Sequence, residues 1–220
     1  YQFGRYNGYS RSWDQIANVN NKHLIVKAAG NDRSDSGPSN SIHQPDGDWD
    51  CIADQGMSKN ILTVGAVHDI PGGYTGPSSV SSAWFSSWGP ADDGRVKPDL
   101  VAYSMFGSSN SAALTSGVAV LLQQKYKQMN NEPAPAALLR ALLINGADDV
   151  FTPGPDFKTG FGSLNAFTTM RALEEERYIS GVLSNRVVNN HTVQIPPNIS
   201  EFKATLVWTD PAAVVNSDKA

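Results

Sequence analysis

One cysteine, Cys51, stands in 220 residues, so no intrachain disulfide can form and there is no basis for a zinc site or a redox pair. Positive charge is also scarce: 17 Lys and Arg against 21 Asp and Glu give a net charge of -4, with no Lys/Arg cluster. Nucleic acid and anionic membranes both reward a basic face, so neither is expected as a partner. No apolar run approaches the roughly 18 residues of a membrane span, and Tyr1-Gln2-Phe3-Gly4-Arg5 lacks a signal-peptide pattern. Internal repeats and low-complexity tracts are missing as well. What is present is ordinary for a globular protein, 40% hydrophobic and 17% charged, at a length that permits one large domain or one plus part of a second. The chain opens without methionine on a turn-rich segment and stops at Lys219-Ala220, which suggests a fragment or a processed piece.

Periodicity orders the chain into alternating helices and strands. Within 12–21, Trp13, Ile16 and Ala17 have the spacing of a short amphipathic helix, followed by a largely polar turn at 18–21, and Leu24 to Ala29 is a mostly apolar run of strand length ending at Gly30-Asn31. A buried strand after a helix points to a parallel α/β sheet with helices on both faces. Residues 32–56, rich in Asp, Ser, Gly and Pro, read as a long surface loop. Ile61 to Val67 follows as a second buried strand, and Lys97 to Ala102 as a short third one entered from an extended proline segment. Helices are expected over 118–128, over 135–145 with Leu138, Leu139, Leu142 and Leu143 on one face, and over 161–176. Beyond Ser180 the pattern alternates, in Thr192 to Ile195 and Phe202 to Trp208, as in half-exposed antiparallel strands. A domain boundary is therefore placed at 180, with 181–220 expected to begin an all-β barrel or sandwich.

Chemistry concentrates at Phe106-Gly107-Ser108-Ser109-Asn110-Ser111-Ala112-Ala113. Glycine permits a sharp turn, small residues keep it open, and the unsatisfied N–H groups and positive dipole end of the helix that follows favour an oxyanion. Taken alone, the stretch reads more simply as an ordinary serine N-cap before a buried helix, because such caps are common. Three other segments bear on that choice: Ala28-Ala29-Gly30-Asn31 closing a strand, Phe85-Ser86-Ser87-Trp88-Gly89-Pro90, and Lys97-Pro98-Asp99.

In order and character these segments resemble the C-terminal half of a subtilisin-like serine protease, whose motifs read A-A-G-N, F-S-S-x-G-P, K-P-D-[IL]-x-A and G-T-S-M-A-x-P. Gly160-Phe161-Gly162-Ser163-Leu164-Asn165 resembles the family's closing G-x-G-x-[ILV]-[ND] element, and Leu206 to Asp210 the β-barrel appended to some large secreted members. The resemblance implies that residues 1–180 are the C-terminal part of a peptidase domain. It implies Ser109 as the nucleophile that forms an acyl-enzyme, and the Asn31 side-chain amide with the Ser109 backbone N–H as oxyanion donors. It further implies a polypeptide substrate, a secreted, cell-surface or periplasmic location, and chemistry that needs no cofactor. Calcium stabilises many relatives, but no ligand set is assigned here.

Departures from the pattern are specific. Methionine and proline of G-T-S-M-A-x-P are Asn110 and Ala113, and threonine and alanine are Ser108 and Ser111, which alters packing behind the nucleophile. The family places a further loop and strand before this element, so residues are expected to be missing between Ala102 and Tyr103. Neither D-[ST]-G nor H-G-T-H precedes Asn31. Asp35-Ser36-Gly37 follows it in a polar loop and reads as a turn. His23, His43, His68 and His191 lack the family's surroundings and read as surface or hydrogen-bonded residues. The catalytic aspartate and histidine are thus expected in an upstream part of the same domain, the partner this chain needs. Asp46-Gly47-Asp48-Trp49-Asp50 fails as an EF-hand, with Cys51 at the sixth position and Met57 at the twelfth, and reads as a solvated acidic loop. Trp84 and Trp88 read as packing aromatics, and Glu174-Glu175-Glu176 as a solvated helix face. The alternative to an endopeptidase is a degenerate protease-like domain kept as a binding or scaffold module. A lipase-type G-x-S-x-G is disfavoured because Ser111 stands at the second glycine.

Overall fold

Three short parallel strands organise the computed structural model, which describes residues 2–34, 47–70 and 72–215. Strand β1 (Val26–Ala28) pairs with β2 (Leu62–Val67), Val26 opposite Leu62 and Ala28 opposite Val64; β2 pairs with β3 (Leu100–Tyr103), Val64 opposite Leu100 and Val67 opposite Tyr103. The central strand is buried along its whole length, as an uninterrupted apolar run in a parallel sheet should be. Four helices accompany the sheet among the described residues: α1 (Gly8–Val19), α2 (Ser108–Asn130), α3 (Ala136–Asn145) and α4 (Ala166–Glu174).

Strand alternation divides the apolar side chains between two faces. Leu62, Val64, Leu100 and Ala102 point to one face and pack with Ala119, Leu122 and Tyr126 of α2, with Leu138, Leu139, Leu142 and Leu143 of α3, and with Ala172 and Leu173 of α4. Val67 and Val101 point to the other and pack with Val80 and Val150. Helix α1 lies against a single 3₁₀ turn, Asp54–Met57, which itself touches β1.

Several expected boundaries move for visible reasons. Helix α2 begins ten residues before the apolar run that announces it, at Ser108. Helix α4 starts only at Ala166, because Asn165 caps it by accepting from Thr168 N–H, while Ser163 and Leu164 bridge to β3 and the Asp148 segment instead. The inner face of α1 is Ser10, Asp14 and Ala17, whereas Ile16 is about half exposed. The fully buried Asp14 carboxylate accepts from Tyr6 Oη at 2.8 Å, Lys59 N–H at 3.0 Å and Asn60 N–H at 2.8 Å, which fastens α1 to the start of β2. A second buried charge, Lys97, donates to Asp99 Oδ2 at 2.7 Å and Thr63 Oγ1 at 3.1 Å, and Asp99 Oδ2 accepts from Thr63 N–H at 2.6 Å. Trp84 is not a core packing residue: it is 64% exposed and meets Phe85 in a T-shaped ring contact.

The alternating tail forms no all-β module. Residues 181–215 contain no strand, and most of their apolar side chains are exposed. A strand cannot satisfy its own N–H and C=O groups, and no partner strand lies beside these segments among the described residues. The tail instead straps the domain. Lys203 Nζ donates to the Ile144 and Ala147 carbonyls at the end of α3, both at 3.2 Å; Val207 packs on the main core; and Asp210 exchanges backbone–side-chain hydrogen bonds with Asn60 while pairing with Lys59 Nζ at 2.9 Å.

Candidate active site

The carboxyl ends of β1 and β3 bring the two predicted site regions together, the usual place for a site in an open parallel sheet. β1 runs out through Ala29 and Gly30 to Asn31. β3 turns through Ser104–Gly107 straight into α2, with Ser104 Oγ donating to the Gly107 carbonyl at 2.6 Å and Ser111 Oγ tying the first helical turn to the Ala102 carbonyl at 2.8 Å.

Gly30 and Gly107 adopt φ of +122° and +130°, which L side chains rarely tolerate. A Cβ on Gly107 would also stand 3.2 Å from Asn31 Nδ2, and one on Gly30 would stand 2.7 Å from Ser87 Oγ. Both glycines clear room for the asparagine and its loop.

Contact between the two regions runs through Ser108. Its backbone N–H donates to Asn31 Oδ1 at 2.8 Å, across 77 positions of sequence. Its hydroxyl lies 3.0 Å from both the Gly30 carbonyl and Asn31 Oδ1, and accepts from Gly30 N–H at 3.2 Å. One hydroxyl proton serves only one of those oxygens at a time. A backbone N–H can only donate, so Oδ1 must face Ser108 and Nδ2 is turned the other way, toward Gly107. Among the described residues, Asn31 Nδ2, Ser109 N–H and Ser109 Oγ have no hydrogen-bond partner, and both residues are exposed. By contrast, Asn110 N–H is occupied by the Gly107 carbonyl at 3.0 Å. Two N–H donors and one hydroxyl thus stand free around the start of a 23-residue helix, where the positive end of the helix dipole favours an electron-rich oxygen.

The Phe85-Ser86-Ser87 element supports this corner with two fully buried hydroxyls, a role the sequence reading missed. Ser87 Oγ accepts from Asp32 N–H at 3.0 Å and Ser87 N–H donates to the Gly30 carbonyl at 3.1 Å, while Ser86 Oγ accepts from Ala66 N–H at 2.8 Å. The signal was available in the paired small hydroxyl residues next to a buried aromatic. Nearby, Arg33 Cζ and Lys158 Nζ lie 4.4 and 4.5 Å from the centroid of the Trp88 ring, whose backbone N–H donates to Cys51 Sγ at 3.1 Å. On β1 itself, burial lowers the pKa of half-buried Lys27 against the opposing pull of Asp32 and Asp54.

No described histidine bonds to Ser109. His68 Nε2 accepts from Trp84 N–H at 3.3 Å, and His23 and His191 are exposed. His43, Asp35-Ser36-Gly37 and Asp46 lie outside the described residues. Asp48 contributes its carbonyl to Cys51 Sγ at 3.4 Å, and no group of three metal-binding side chains occurs among the described residues.

The subtilase family profile matches residues 2–162. This chain belongs to the subtilase family. A serine protease/ABC transporter B family protein, tagA, of Dictyostelium discoideum is 27% identical over 180 residues, covering 58% of this subtilase chain and 10% of the relative. Serine protease AprX of Bacillus subtilis is 27% identical over 171 residues, covering 65% of this chain and 34% of AprX. The chain thus spans 34% or less of the length of these two curated relatives. Among solved structures, the patellamide maturation protease PatA superposes with a TM-score of 0.56 at 22% identity, covering 80% of this chain and 60% of PatA. The prenylagaramide maturation protease PagA gives 0.54 at 20% identity, covering 79% and 58%. At those identities the likeness concerns the fold.

Proposed function

We propose that this chain carries the nucleophile and the oxyanion donors of a serine endopeptidase acting on polypeptides outside the cytoplasm. The observation that supports this most is the Ser108 N–H to Asn31 Oδ1 bond, because it leaves Asn31 Nδ2 and Ser109 N–H as unused donors beside the Ser109 hydroxyl. In the proposed reaction Ser109 Oγ attacks the scissile carbonyl and gives its proton to a base. The two N–H groups hold the oxyanion, the amine departs with that proton, and water then cleaves the acyl-enzyme. No cofactor takes part in these steps. The base and its orienting carboxylate are assigned to the preceding part of the same domain, so the chain alone should hydrolyse peptides poorly.

The test is a fluorophosphonate probe applied to the folded polypeptide that includes the preceding part of the domain. The expected result is one adduct, mapped to Ser109 and abolished by Ser109→Ala. A folded protein that carries the preceding segment and takes no label would overturn the assignment and favour a binding or scaffold role.

A further inference from the structure

Two cations far apart in sequence converge on one ring close to Asn31. Arg33 follows Asn31 by two positions and Lys158 stands on the turn before Gly160, yet the charged ends of both lie within 4.5 Å of the Trp88 ring centroid. Lys158 Nζ also lies 5.2 Å from the Trp49 ring, which meets Trp88 at 5.2 Å between centroids. Hydrogen bonds fix this arrangement. Ser87 Oγ accepts from Asp32 N–H, and Gly89 N–H donates to the Phe157 carbonyl at 3.0 Å, so the residues on either side of Trp88 are each fastened to a segment that carries a cation. Trp88 itself is buried and its Nε1 donates to Ser82 Oγ at 3.1 Å, whereas Arg33 and Lys158 are half-buried and Trp49 is exposed. Attraction to the ring holds each cation individually. Together they repel, and neither Arg33 nor Lys158 takes part in an ion pair among the described residues. The carboxylate of intervening Asp32 folds back over Gly30, its Oδ2 2.8 Å from where a Cβ there would stand.

We propose that Arg33 and Lys158, held on the Trp88 ring, bind the carboxylate of a Glu or Asp side chain of the polypeptide substrate and so set a preference for acidic sequence near the scissile bond. This rests on the endopeptidase reading for the chemistry and names the substrate class which that reading leaves open. Position supports it. Two residues of backbone reach no more than about 7 Å, so the Arg33 side chain serves substrate positions within about three residues of a carbonyl held at Asn31. Charge supports it as well. The guanidinium offers a planar fork that matches a carboxylate, the ammonium adds a second positive charge, and a partly buried aromatic wall is screened less than open surface. The chain as a whole carries a net charge of -4, so an acidic segment is repelled by the molecule in general and attracted at this point.

Peptide pairs test it in the folded polypeptide that includes the preceding part of the domain. Each pair is capped at both ends, so that no terminal carboxylate competes, and differs only by Glu against Gln at one position within three residues of a cleavage site mapped in an unstructured protein. At one or more of those positions kcat/KM should favour Glu by about tenfold or more at low salt, and the preference should shrink as ionic strength rises. Charge reversal by Arg33→Glu with Lys158→Glu should turn the preference toward Lys peptides, while Lys125→Gln, which removes a cation paired with Glu174 on α4, should leave it unchanged. Equal cleavage of Glu and Gln peptides would overturn the proposal and keep the enzyme. So would a charge-reversed variant that loses both peptides alike, which would assign the two cations to structure. Fluorescence anisotropy of labelled Glu and Gln peptides on the Ser109→Ala protein needs no chemistry. Tighter binding of the Glu peptide by a protein that never cleaves would remove the endopeptidase reading and leave the acidic-peptide site; equal binding would overturn the site.

Discussion

The Ser108 amide lies 2.8 Å from Asn31 Oδ1, and that single bond decides which end of the Asn31 side chain is free to donate. Asn31→Asp keeps an oxygen for Ser108 and should fold, but it can no longer donate and it brings negative charge to a developing oxyanion. In the proposed endopeptidase, kcat on a chromogenic peptide should fall by about 10²- to 10³-fold for Asn31→Ala and further for Asn31→Asp, with KM little changed. A loss confined to KM would place Asn31 in ground-state binding.

Adjacent serines separate chemistry from support. Ser109 is exposed without a partner, so Ser109→Ala should abolish fluorophosphonate labelling and shift unfolding by less than about 0.5 kcal/mol. Ser108 is fully buried and bonded to Gly30, so Ser108→Ala should cost about 1 kcal/mol in urea unfolding yet keep the label, because its backbone N–H still reaches Asn31. The reverse pattern would move the nucleophile to Ser108.

Beneath the sheet, Lys97 and Asp99 depend on each other. Burial pushes the Lys97 ammonium pKa down, against the attraction of Asp99. Lys97→Met strands a buried carboxylate and should destabilise by about 3 kcal/mol. Lys97→Met combined with Asp99→Asn keeps an oxygen for Thr63 N–H and should recover part of that loss in urea titrations. Additive costs would show the two are uncoupled.

Cys51 supplies a pH signature. Burial raises its thiol pKa, more than the Trp88 backbone hydrogen bond lowers it. The folded state therefore holds the proton after the unfolded state has lost it, and stability falls as pH rises from the ordinary thiol pKa toward the raised one. Urea midpoints should decline over that window, and the Cys51→Ala variant should decline less. The native thiol should also resist iodoacetamide at pH about 8 and react on unfolding.

Strands and the two leucine-rich helices were legible because their apolar runs are long enough to specify burial by themselves. The inner face of α1 was not: Asp14 replaces Ile16 there because its partners, Tyr6, Lys59 and Asn60, converge only in three dimensions. The alternation of Thr192 to Ile195 and Phe202 to Trp208 misled for a related reason, since a strand is defined by a neighbour that periodicity does not contain. At the candidate site, motif order singled out the Asn31 and Ser109 segments, and the structure places those two segments side by side. Ser108 was not singled out, because a small hydroxyl residue beside a glycine looks like spacing until its amide is seen to orient Asn31.

The tail strap fixes which end of the sheet the segment around Asp210 covers. Asp210 is held at Asn60, at the amino end of β2, while Asn31 and Ser109 stand at the carboxyl ends of β1 and β3, about 20 Å away along a six-residue strand. A bulky label on exposed Val214, four residues past Asp210, would therefore sit near the amino ends of the strands and leave Asn31 and Ser109 open to macromolecules.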